Sequence, residues 1–249
     1  NNLKNLKKNF KKTRLTKDNK VFLSIAAIIF LTLSYFIIPT LYNKNIIKGE
    51  IKNHILKKYN IDIKFNEKLR YGLLPKPHFA TNNLSINRDE REIAIVKDFK
   101  IFISSNDFLN VNKIKIRDIS FNKADFEIQI DDIDFFKNLM KTAPNENKII
   151  IRNSNIFYKN NNDEVLFINK IYNSKFYYDS SKLENIFFST NEIFNIPYKL
   201  EVRNDKFNKK ISTIFSAKKI RLVVENEYDY DEENKKGLLD ILFVSKNTT

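Results

Sequence analysis

Two histidines and a few paired acids are the side chains of this sequence that could build a catalytic or metal site. His54 stands in a lysine-rich stretch and His78 in a loop flanked by prolines. Neither has a carboxylate or a second histidine at metal-ligand spacing, so surface or interfacial roles suit both better than ligation. Asp131-Asp132 precedes an apolar helical pattern, where a carboxylate can cap a helix, and Glu232-Glu233 lies in a solvated acidic run. The chain has no cysteine, hence no disulfide and no thiolate site. It has no glycine-rich phosphate loop, no G-x-S-x-G elbow and no H-E-x-x-H helix. The expectation is a protein that is not an enzyme, with no catalytic residue, metal ligand or cofactor.

The elements are more informative than the reactive groups. Val21–Tyr42, VFLSIAAIIFLTLSYFIIPTLY, carries no charge and would reach about 33 Å as a helix, enough to cross a bilayer core. A cleaved signal peptide has a shorter apolar core and a small-x-small site, which Ile38-Pro39-Thr40-Leu41-Tyr42 does not offer. A buried soluble helix would show a polar stripe, whereas only Ser24, Thr32 and Ser34 interrupt this one. Residues 1–20 therefore read as a basic cytoplasmic segment and 21–42 as a single transmembrane helix. The first segment holds eight Lys/Arg against Asp18, and residues 43–60 hold five against Glu50. That bias places the N-terminus inside and the bulk of the chain outside. Asn1 in place of Met suggests residues upstream.

Net charge is +14, from 44 Lys/Arg and 30 Asp/Glu. Residues 1–60 hold 13 Lys/Arg and 2 acids, which leaves 31 and 28 for residues 61–249, an excess of only +3. The basic excess flanks the span, where it sets topology and can meet anionic lipid, so no nucleic-acid partner is expected.

Residues 43–60 read as a juxtamembrane amphipathic helix, with Ile47, Ile51, Ile55 and Tyr59 in one stripe and Asn60 in the left-handed position beyond its end. From Ile61 the apolar period changes to two. Strands are expected at 61–65, 68–73, 79–86, 93–104, 112–121 and 125–130. A short helix over 131–142 carries Ile133, Phe136, Leu139 and Met140 and closes at Pro144. Strands then resume at 148–158, 165–171, 173–178, 186–190, 197–202, 210–215, 219–224 and 238–244. Asn160–Glu164 reads as a hairpin turn and Glu225–Lys236 as an acidic surface loop. With three glycines in the chain, Asn and Asp must supply the tight turns. The fold class is a membrane-anchored α+β protein, mainly β: one transmembrane helix, then a long antiparallel twisted sheet with two short helices. The last strand is uncovered, which suggests that the 61–249 domain continues beyond Thr249.

Tyr59–Ile86, with Leu73-Leu74-Pro75-Lys76-Pro77 ending a strand, resembles the N-terminal region of the AsmA family: membrane helix, short helix, strand, then a strand running into a P-x-P turn. Ile149–Ile171 is similar to that family's recurring strand-turn-strand texture. The chain departs from the family in having Asn60 and Asn66 where glycines commonly flank the first strands. The resemblance implies a trough-like sheet anchored in the bacterial inner membrane and extending through the periplasm, with a role in outer-membrane assembly and in moving phospholipid. Candidate groove-lining residues are Ile101, Ile103, Ile114, Ile116, Phe126, Ile128 and Ile130, whose alternation equally fits an ordinary core. Two functions stay open: a phospholipid conduit, or an assembly scaffold that binds other envelope proteins without lipid cargo.

Overall fold

The computed structural model describes residues 17–88, 91–111, 113–135, 147–229 and 237–243. Most of the basic segment, the apolar residues Phe136, Leu139 and Met140 and Pro144 of the expected second helix, and most of the acidic loop lie outside these residues.

Helix α1 (Lys17–Ile37) is followed by a 3-10 turn at Ile38–Leu41. The stretch Asn19–Leu41 is long and apolar enough to cross a membrane, and its side chains are exposed along most of it. Two of its polar interruptions are satisfied within the helix: Ser24 and Thr32 donate to Lys20 O and Ile28 O at 2.9 and 2.8 Å. Helix α2 (Lys44–Tyr59) starts where Asn43 Oδ1 accepts from the backbone N–H groups of Asn45 and Ile46. It stops at Asn60, whose φ of 54° is the left-handed cap expected of that residue. The stripe Ile47, Ile51, Ile55 and Tyr59 is buried as its spacing predicts.

Among the described residues, thirteen strands form one sheet: β1 (Asp62–Phe65), β2 (Arg70–Gly72), β3 (His78–Thr81), β4 (Leu84–Arg88), β5 (Arg91–Ile103), β6 (Ile116–Gln129), β7 (Lys148–Lys159), β8 (Val165–Asp179), β9 (Glu184–Ile193), β10 (Ile196–Asp205), β11 (Lys210–Ala217), β12 (Leu222–Asp229) and β13 (Gly237–Phe243). The sheet path runs β1-β4-β5-β6 and then in sequence order to β13, with the β2-β3 hairpin joined to the end of β5. All pairs are antiparallel except β6 and β7, so the expected antiparallel sheet is a mixed one. The segment after Gln129 returns the chain to the starting end of β6, which a tight hairpin cannot do.

Several expected boundaries move. The run at 79–86 is two strands, split where Asn83 takes a φ of 49°. The runs at 112–121 and 125–130 are one strand, β6, and those at 165–171 and 173–178 are one strand, β8. Residues 225–229 of the expected acidic loop belong to β12. Left-handed φ falls to Asn60, Asn83, Asn153, Asp163 and Asn195 as expected, but also to Lys123, Leu183, Phe194, Lys209 and Arg221. Lys123 and Asn153 take it within long strands, where it reverses which side chains point inward. On β5 and β6 the inward positions are Phe99, Ile101, Ile119 and Phe121 on one side of that line, and Ala94, Val96, Ala124 and Phe126 on the other. The extra residue Tyr172 does the same on β8.

The closed core lies under the helices. Ile47, Ile51, Ile55 and Tyr59 of α2 pack with Ile63, Phe79, Leu84, Val96, Phe99, Ile101 and Ile119 in one cluster. Residues 43–60 and the first strands of 61–249, distinct segments by sequence, are therefore one packing unit.

Candidate functional site

The face that α2 covers on β1–β6 continues across β7–β13. Cross-strand partners share a face, and so do positions two apart along a strand. Starting from Ile149 and Ile151, the registers place on it Phe176 and Ser174, then Phe187 and Ser189, Leu200 and Val202, Thr213 and Phe215, Val224 and Asn226, and Leu239 and Ile241. Beyond the inversions at Asn153 and Tyr172 the same face carries Ile156, Tyr158, Phe167, Asn169 and Ile171. No Asp, Glu, Lys or Arg stands on this face of β7–β13 among the described residues.

The charges are on the reverse face. Lys159 pairs there with Glu127, Lys170 with Glu192, Arg203 with Glu201 and Glu184, and Lys210 with Glu227, at 2.6 to 3.5 Å. The hydrogen bond from Lys170, followed by that from Tyr172, holds the Glu192 carboxyl below the usual carboxylate range. One-sided charge is what keeps such a sheet soluble while its other side stays apolar.

Among the described residues, the core cluster that α2 joins reaches Ile149 of β7 and includes no residue of β8–β13. Ser154, Asn169, Ser174, Ser189, Asn191 and Asn204 are nevertheless buried on this face, as are Ile171, Ile211 and Ala217. The Tyr198 hydroxyl crosses β9 to donate to Asn169 Oδ1 at 2.9 Å. Burial raises the Tyr198 phenol above its ordinary value, against the smaller opposing effect of that hydrogen bond. Stacked and tilted rings line this face, Tyr158 on Phe167 at 4.8 Å and Tyr198 on Phe215 at 5.0 Å. The six strands β8–β13, at about 4.8 Å spacing, span about 24 Å across the strands.

The candidate lining residues divide between covered and uncovered positions. Ile101, Ile103 and Ile116 are buried in the core cluster that the helices join, and Ile103 also lines the cleft beside residues 73–77. Ile114 and Phe126 are half-buried against that core. Ile128 shares the face, opposite Tyr158, where the helical cover ends. Ile130 is exposed, in a 3-10 turn and not on a strand. The residues of the open face on β7–β13 were legible only as alternating strands, since coverage by a helix leaves no mark on the pattern.

The reactive groups stay apart. His54 Nε2 donates to Asn147 Oδ1 at 2.9 Å, Lys58 donates to the same oxygen at 3.0 Å, and Asn147 Nδ2 donates to Ile116 O at 2.8 Å. His54 thus pins α2 to the sheet. His78 is buried, donates from Nδ1 to Lys76 O at 2.8 Å, and fills the space a side chain at Gly72 would need. Asp132 is no simple helix cap. Buried, it takes Arg88 and Arg91 on its two oxygens and also accepts from Gln129 N–H, tying the β4-β5 hairpin to the end of β6. No cluster of His, Cys, Asp and Glu able to hold a metal occurs among the described residues.

No protein-family model matches this sequence, and no curated protein matches it significantly.

Proposed function

We propose that this chain is an AsmA-like protein, anchored by α1 in the bacterial inner membrane with its N-terminus in the cytoplasm. Its sheet carries phospholipid acyl chains through the periplasm in support of outer-membrane assembly. The observation that supports this most is the uncharged face of β7–β13, continuous with a closed core beside the anchor and outside that core cluster from β8 onward among the described residues. Apolar area kept from water there is worth roughly 25 cal/mol per Å² to an acyl chain that lies on it. The role needs no catalytic group: the sheet lowers the cost of moving a lipid through water, and head groups stay at the open side of the trough.

The test compares neighbouring residues on opposite faces. A photo-crosslinking amino acid replaces Phe215 on the uncharged face or Ile214 on the reverse face of the full chain, expressed in a bacterial envelope. Phospholipid adducts, identified by mass spectrometry, are expected at 215 and not at 214. Equal labelling, or none at 215 in a folded chain, overturns the conduit. Protein adducts at 215 without lipid would favour the scaffold reading, which draws support from β13, an edge strand exposed on both faces.

A further inference from the structure

The C-terminal end of α1 is bolted to the sheet domain. Tyr35 Oη donates to Ser105 O at 2.6 Å and accepts from Phe108 N–H at 3.3 Å. Tyr42 Oη donates to Phe108 O at 2.7 Å, and Tyr71 Oη donates to Phe36 O at 2.8 Å. The Tyr35 and Phe108 rings stack at 5.3 Å, and Phe36 meets Phe108 edge-on at 5.9 Å. Two loops, residues 73–77 and 104–111, are thereby held against the last turns of the apolar helix.

Both loops present large apolar side chains outward. Leu74 is 80 % exposed and Leu109 76 %, and Leu41, in the turn that ends the apolar run, is 81 % exposed. Between the loops lies an open cleft of about 410 Å³ with an apolar wall of Phe36, Leu73, Pro75 and Phe102. Lys76 and Arg117 edge it on the basic side and Asp118 is its acid. Lys115, also exposed, is fixed beside the second loop by the Ser104 N–H to Lys115 O bond of 2.9 Å. Exposed leucines next to tyrosines, rimmed by Lys and Arg, are the chemistry of a segment that sits at a membrane surface. A protein partner would also accept leucines, but the fixed seating beside a helix that crosses the membrane favours lipid.

We propose that these two loops are a second membrane-contacting surface. Leu74 and Leu109 insert into the lipid surface that α1 crosses, and Lys76, Lys115 and Arg117 meet lipid phosphates. The loops and α1 then hold the sheet at a set angle to the membrane. This rests on the reading of α1 as a membrane span.

The chain contains no tryptophan, so single substitutions report position without background. The full chain is reconstituted in vesicles of phosphatidylcholine and phosphatidylglycerol, with bromines placed near the head-group end or the tail end of the acyl chains. Leu74→Trp and Leu109→Trp are expected to lose fluorescence chiefly to the shallow bromines. Phe30→Trp, within α1, reports the span itself, and Phe207→Trp, 79 % exposed in the β10-β11 turn, should keep its emission in both. Quenching at 30 with emission at 74 and 109 as unaffected as at 207 overturns the second contact while leaving the anchor intact. Blue-shifted but lipid-insensitive emission at 74 and 109 also overturns it, pointing to a protein partner. No quenching at 30 overturns the span and this proposal together.

Discussion

The sheet has a covered half and an open half that share one face. On β1–β6 that face meets the stripe of α2, and Phe79, Phe99, Ile101 and Ile119 are sealed beneath it. On β8–β13 the same face carries Phe187, Leu200, Phe215 and Val224, which stand outside the core cluster that α2 joins among the described residues, and most of its buried positions are small or polar. Alternation is equally good in both halves. The difference lies in what the apolar side chains finally rest on: a helix in the covered half, and chiefly one another in the open half.

The strongest way to break this contrast is to truncate one ring in each half. Phe99, packed between Phe65 and Phe121, should cost about 3–5 kcal/mol when replaced by Ala, as buried aromatic truncations do. Phe215→Ala should cost less than Phe99→Ala, because Phe215 is only partly buried. Urea titration of the full chain in mild detergent measures both, and equal costs would mean that the open half is not open.

Next in size is Asp132→Asn, which leaves Arg88 and Arg91 without their carboxylate. We expect a loss of about 3 kcal/mol, at the low end for breaking a buried pair because the guanidinium groups keep access to water. Hydrogen exchange should localise it to the β4-β5 hairpin, within the covered half. Asn60→Ala should cost about 1–2 kcal/mol through its left-handed φ, while Asn60→Gly should be near neutral, in the same titrations.

The smallest effects are those of pH, and they belong to the open half. The Tyr198 phenol is raised from 10.0, so its contribution is full below that value and is lost as pH rises through the shifted one. Alkaline unfolding monitored by circular dichroism should lose this component in Tyr198→Phe. Glu192 is lowered from 4.5, so its contribution is present above that value and fades as pH falls through the shifted one. Glu192→Gln should flatten that acid limb slightly, since the Lys170–Glu192–Tyr172 group sits in solvent.

Much of the fold was legible from local signals. The α2 stripe, its Asn60 cap and the Asn160–Glu164 turn, where Asn160 Oδ1 accepts from two backbone N–H groups, follow from residues a few positions apart. The merging of two expected strands into β6 was not legible, because Lys123 gives no sign of taking a left-handed φ. Nor was the parallel β6-β7 pair, which depends on the path of an intervening segment and not on either strand. For the candidate site, the seven isoleucine and phenylalanine positions were found by alternation, which marks an apolar face but cannot say whether a helix covers it.

By itself the sequence determined the elements: an apolar run long enough to cross a membrane, a striped helix, a succession of strands, and charge kept to alternate positions. These are properties of one segment at a time, set by period and by cap and turn residues. The tertiary structure alone decided where α2 stops covering the sheet, how the faces realign across Lys123, Asn153 and Tyr172, and that Tyr35 and Tyr42 lock the anchor to the domain. Those outcomes depend on register and on contacts between residues about 70 positions apart, and no local pattern records them.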